Sequence, residues 1–164
     1  MFQSAIVSIG LVIVASAVHL AFTSKPRDVA TVLGIVLRYA FLFIVAFSGF
    51  MGFVGHIFKA DDVARQIGWP PGNPFQSEVA VTNLVFAVLG LLTIWFRGNF
   101  WLATAIGYAV FMMGAGVVHI YQLIVAGNRA PLNAGTTILA LDLVVPAILL
   151  VLVVAYCRLT GERA

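Results

Sequence analysis

The chain has 164 residues, of which 62% are hydrophobic and 9% charged, with a formal net charge of +3 and a mean hydropathy of +1.09. Those values exclude an ordinary soluble domain and belong to an all-α integral membrane protein of one domain. The basic residues are scattered between apolar runs, a pattern of membrane orientation and not of nucleic-acid binding. The single cysteine, Cys157, excludes an intramolecular disulfide and any CxxC metal or redox motif.

A helix needs roughly 20 apolar residues to cross a bilayer core. Five runs meet this need, at about residues 2–23, 39–58, 77–96, 100–126 and 136–157. The first has no basic residues before it and no small-x-small cleavage site, so it reads as a retained membrane helix and not a signal peptide. Turn-forming or polar stretches follow each run: "SKPRD", the loop over 59–76, "RGN", "GNRAPLNAG" and "RLTGERA". Residues 29–37 are apolar too, with Arg38 after them. They are either a tilted extension of the second helix or an interfacial segment whose Arg38 snorkels to the headgroups.

Five spans put the termini on opposite sides. Lys25, Arg27, Arg38, Arg97, Arg158 and Arg163 share one side; Lys59, Arg65 and Arg129 share the other. The positive-inside rule then places the N-terminus outside and the C-terminus in the cytoplasm, with the loop over 59–76 facing outward.

That loop belongs to the most polar and turn-rich stretch, "GHIFKADDVARQIGWPPGNPFQSE". Asp61 and Asp62 precede "VARQI" and Gly68 follows, which predicts a helix of one to two turns. Val63, Ile67 and Trp69 give it an apolar side, expected to lie on the membrane surface. Ser77 is the expected cap of the third span, with Glu78 in its first turn.

Ionisable groups within spans are costly and mark candidate sites. Counting 1.5 Å per residue from the outer helix ends puts His119 and Asp142 at ~12 Å depth and Asn83 at ~10 Å. Gln122, His56 and Glu78 follow at shallower levels. His56 also continues a row with Ser48 and Gly52, which permits close helix approach or leaves a groove. Each residue has an architectural alternative: Glu78 complements a helix dipole, Asn83 and Gln122 can bond helices together, and His119 can simply pair with Asp142. His19 lies apart from this group, near the inner end of the first run, and reads as structural.

A histidine–carboxylate pair near an outward opening suits a quinone, a lipid headgroup or proton transfer. No HxxxH, ExxH or HExxH spacing supports a metal, and His56 is a poor depth match to His119 for bis-histidine haem. Nucleophilic triads, phosphate loops and dinucleotide fingerprints are absent.

Through "GHIFKADDVARQIGWP", "EVAVTNLVFAVLGLLTIWFRGNFWLATAIGYAVF" and "GAGVVHIYQ", the chain resembles a family of small bacterial inner-membrane proteins known only as a domain of unknown function. More distantly it is similar to the DoxX-like group of four-helix membrane proteins, over about residues 34–154. That resemblance implies a four-helix core with an added N-terminal helix. It also motivates a quinone, because DoxX-like relatives include membrane subunits linked to thiosulfate:quinone oxidation, but it implies no site residues. Three functions follow as expectations. The first is a small-ligand pocket built from His119, Asp142, Asn83, Glu78, His56 and Gln122, with quinone or lipid ahead of metal. The second is an accessory subunit of a larger membrane complex, or a homo-oligomer, in which these groups hold helices together. The third is an enzyme that uses His119 as acid or base beside Asp142.

Overall fold

Helices account for all the regular secondary structure among the described residues. The computed structural model describes residues 2–161, with side chains throughout except at 2–5, 136 and 137. Arg163, one of the basic residues that orient the chain by sequence, lies outside the described residues.

Among the described residues, four helices are long and apolar enough to cross a membrane, as a multi-pass protein requires. They are Val29–Phe58 (α2), Phe75–Leu92 (α4), Asn99–Val125 (α5) and the helical path over 136–160 (α7), whose apolar span is Ala140–Thr160. Ahead of them runs α1, Phe2–Phe22, of which Ile6–Phe22 forms a shorter apolar helix. Between them lie two short helices, Ala60–Ile67 (α3) and Pro131–Ala134 (α6).

The stretch 29–37 continues α2 and is not a separate interfacial segment. Asp28 caps this helix, its Oδ1 accepting from Thr31 N at 2.7 Å. Further along the chain, α4 begins two residues before the expected Ser77 cap. Asn73 opens it instead, with Oδ1 accepting from Phe75 N at 2.9 Å and its carbonyl from Gln76 N at 3.2 Å. Proline at position 74 suits this start, because a first-turn residue needs no N–H partner.

Packing joins α2 to α4, α4 to α5, α5 to α7, and α7 back to α2, while the main contacts of α1 are all with α2. The result is a four-helix ring with α1 against its flank. Small residues bring α2 and α4 together: a Cβ at Gly49 would stand 2.8 Å from Asn83 O, and one at Gly90 would stand 2.7 Å from Ala46 N. Ala at either position would force these backbones apart.

The two ends of the ring differ. At the end formed by the start of α2 and the close of α7, Leu37, Phe41, Trp101, Val153 and Tyr156 form one buried cluster. Trp101 sits 5.4 Å from Phe41 and 5.3 Å from Tyr156 between ring centroids, and its Nε1 donates to Thr93 O at 2.9 Å. At the other end, a cavity of ≈ 510 Å³ opens between the same helices. The half that holds this cluster is the floor of that cavity.

Two of the long helices that flank the cavity carry a π-helical segment, Phe41–Phe47 in α2 and Ala140–Val144 in α7. The second has a visible cause. Pro146 has no N–H to offer the Asp142 carbonyl four residues back, and its ring crowds that carbonyl. The ladder shifts by one residue, and Val145 N donates to Ala140 O.

Candidate functional site

Asp142 lies within this π segment and is 8% exposed. The bulge rotates it inward against α5, where Gly116 leaves room: a Cβ there would meet Asp142 Cβ at 3.2 Å and Leu143 Cδ2 at 2.7 Å. Across the cavity edge, His119 Nε2 stands 3.8 Å from Asp142 Oδ2. This separation is too long for a hydrogen bond. It leaves space for one oxygen atom to lie about 2.8 Å from both groups.

The other face of the imidazole is held firmly. His119 Nδ1 lies 2.9 Å from Asn133 Oδ1, and Asn133 Nδ2 donates to Asn128 O at 2.9 Å and to His119 O at 3.3 Å. Two carbonyl acceptors require the amide nitrogen on that side, so Oδ1 faces the ring and Nδ1 must carry its proton. Nε2 is left to face Asp142.

His56 is held in a similar way. It is 8% exposed, and its Nδ1 lies 2.7 Å from Oε1 of Gln76, itself 2% exposed. His56 and His119 thus each present Nδ1 to a buried amide oxygen, from the first turn of α4 and from α6 respectively. His56 Nε2 makes no hydrogen bond among the described residues.

Like Ser8, Ser48 and Tyr108, Asn83 adds to the polar lining. Its Nδ2 donates to Val79 O in its own helix at 2.9 Å, and a Cβ at Gly52 would meet its Oδ1 at 2.5 Å. The remaining walls are mainly apolar, including Ile44, Met51, Phe111 and Val118. Such a cavity, with a few convergent polar groups and a volume within the usual small-molecule range of ~300–1,000 Å³, has the form of a ligand site.

The loop over 59–76 forms the roof. Its helix α3 has Gly68 at its C-terminal end with φ +83, and Asp61 Oδ1 accepts from Gly72 N at 2.8 Å to fold the following turn back. Val63, Ala64 and Ile67 are buried against protein, so the apolar side does not lie on the membrane surface as its sequence suggests. The bundle offers that side a complementary apolar mouth, and burial there satisfies it equally well. Trp69 lies over His119 with ring centroids 6.5 Å apart and planes 28° apart, and beside Phe75 at 5.7 Å. Asn128 Nδ2 donates to Ile67 O at 2.8 Å, so the α5–α6 connection caps the roof helix.

Among the six residues singled out by sequence, His56, Asn83, His119 and Asp142 line the cavity. Glu78 does not: it is exposed in the first turn of α4, outside the inward face that Gln76, Val79 and Asn83 form at helical spacing. Gln122 does not line it either. It lies one turn beyond His119, where its carbonyl accepts from Ala126 N and Asn128 N, both at 3.1 Å. Sequence reasoning missed Gln76, Asn133 and Trp69. Pro146, four residues after Asp142, was an available signal that the aspartate sits on irregular backbone. No group of three or more His, Cys, Asp or Glu side chains converges among the described residues.

Fold and site together define a helical, multi-pass membrane protein with a roofed, mainly apolar cavity that holds a few polar groups in one half of its bundle. The chain belongs to DUF6790, a family of unknown function whose model matches residues 2–162. No curated protein and no solved structure matches it.

Proposed function

We propose that this protein holds a small amphipathic ligand in the cavity beneath α3, with a quinone ahead of a lipid. The observation that carries this reading is the His119–Asp142 pair, 3.8 Å apart in an otherwise mainly apolar chamber of ≈ 510 Å³. A carbonyl or hydroxyl oxygen of the ligand head bridges the pair, and an apolar body occupies the space between α2, α4 and α5. The distant likeness to DoxX-like proteins supports a quinone in the same sense. In this proposal α1 is a fifth span, the membrane is the bacterial inner membrane, the N-terminus is outside, and the roofed cavity opens outward.

Purified protein in mild detergent is extracted with organic solvent, and the extract is analysed by mass spectrometry. A stoichiometric quinone is expected, and its loss in an Asp142→Asn variant with unchanged thermal unfolding. A stoichiometric phospholipid lost in the same variant would assign the lipid instead. An empty cavity in both proteins, together with failure to take up added ubiquinone or menaquinone, would overturn the proposal. Other chains co-purifying in fixed ratio with an empty cavity would support an accessory subunit of a larger complex.

A further inference from the structure

A second cavity, of ≈ 210 Å³, lies at the opposite end of the bundle, beyond the Trp101 cluster. Lys25, Arg38 and Arg97 line it together with His19 and Tyr156. The cations come from three separate places: the α1–α2 connection, the body of α2, and the turn between α4 and α5. Among the described residues no carboxylate lies within ion-pair distance of any of them. Asp28, the acidic residue next to them in sequence, accepts from Thr31 N instead and does not line the cavity. Three converging cations without a counter-charge among the described residues call for an anion.

The depth of Arg38 indicates where that anion comes from. Counting back 20 residues from Phe58 at 1.5 Å each traverses a hydrocarbon core of ~30 Å and ends at Tyr39. Arg38 therefore lies at the boundary between hydrocarbon and headgroups. Arg97 is steered to the same level, with its guanidinium carbon 5.7 Å from the centroid of the Trp101 ring. Phe22 (85% exposed), Trp95 (66%) and Leu159 (57%) belong to the same end and offer acyl chains an apolar surface beside the charges. His19 Nδ1 and Tyr39 Oη, 3.1 Å apart, brace α1 against α2 at this edge.

We infer that this basic cavity binds the phosphate of an anionic phospholipid headgroup from the adjoining leaflet. A free phosphate would satisfy the charges but would leave the flanking apolar rim unused. The site is separate from the roofed cavity and does not depend on its ligand.

Delipidated protein in neutral detergent is titrated with phosphatidylglycerol, with phosphatidylcholine of the same acyl chains, and with inorganic phosphate, and adducts are counted by native mass spectrometry. Phosphatidylglycerol is expected to be retained preferentially. Each of Arg38→Gln and Arg97→Gln is expected to weaken that retention roughly fivefold, the usual worth of a basic residue at an anionic surface. Arg129→Gln, at the far end of the bundle, is expected to leave it unchanged. Arg97 is exposed in a turn, so its variant keeps the test valid if Arg38→Gln fails to fold. Equal retention of the two lipids, or retention indifferent to Arg97→Gln, would overturn the site. Saturable phosphate binding lost in Arg97→Gln, without preference for the anionic lipid, would overturn the lipid assignment.

Discussion

Asn133 Oδ1 accepts from His119 Nδ1 at 2.9 Å, and Asn133 has no exposed surface. A four-residue helix outside the spans therefore determines which imidazole nitrogen faces the cavity. Replacing Asn133 with Ala strands the His119 N–H and the Asn128 carbonyl, whereas the His119 carbonyl keeps its place in the ladder of α5. Leaving buried polar groups unpaired costs about 1–3 kcal/mol each, with partial relief where water enters. Asn133→Ala is expected to lower stability by at least that much in detergent melts, and to free the ring to rotate. A melting temperature equal to wild type would show that the contact carries no weight.

His119 and Asp142 meet without a direct hydrogen bond, which sets the expected size of their coupling. Facing groups in one network couple by ~0.5–3 kcal/mol in double-mutant cycles. With 3.8 Å between Nε2 and Oδ2, the empty protein belongs at the low end of that range. Ligand-loaded protein should show the larger coupling, because a bridging oxygen links the pair. His119→Ala, Asp142→Ala and the double variant, melted with and without added quinone, measure both values. Strict additivity in both states would separate the two residues functionally.

Asn128 ties the roof down through its bond to Ile67 O. Trypsin is expected to cut slowly at Arg65 in the folded protein, because α3 must unwind before its backbone can enter a protease. Asn128→Ala removes the cap and should speed that cleavage while global unfolding changes little. Equal cleavage rates would mean that packing of Val63 and Ile67 alone holds the roof.

Asp28 provides a pH test at the other end. The backbone N–H of Thr31 holds its carboxyl below the ordinary aspartate value of 3.8. A folded value below the unfolded one means that the cap stabilises α2 fully above pH ~4 and loses this effect as pH falls through the lowered value. Asp28→Asn, which retains an oxygen acceptor without titrating, should flatten the acid limb of the stability profile. An unchanged acid limb would assign it to other groups.

Orientation is tested by labelling. A cysteine in place of Asn73, in the exposed loop, is expected to react with an impermeant thiol reagent applied to intact cells. Cys157, half-buried near the far end of α7, should stay protected. Reaction at Cys157 alone would reverse the proposed topology.

The class of protein and the course of its long helices were legible in the chain, because apolar runs of spanning length have few alternatives in a bilayer. The helix at Ala60–Ile67 was legible too, since acidic residues at its start and Gly68 at its stop are local signals. Tertiary structure decided which polar groups meet. Counting residues along a helix gives depth, but each step also turns the side chain by about 100°. Asn83 and Glu78 are close in sequence, yet only Asn83 lies on the face that α4 turns toward the cavity. Gln76 and Asn133 looked like punctuation before a helix. They became histidine partners because the loop folded over the bundle and put a buried amide where each imidazole needed an acceptor. The apolar side of α3 could have faced lipid or protein with similar gain, and only the open mouth of the four-helix ring determined that it faces inward.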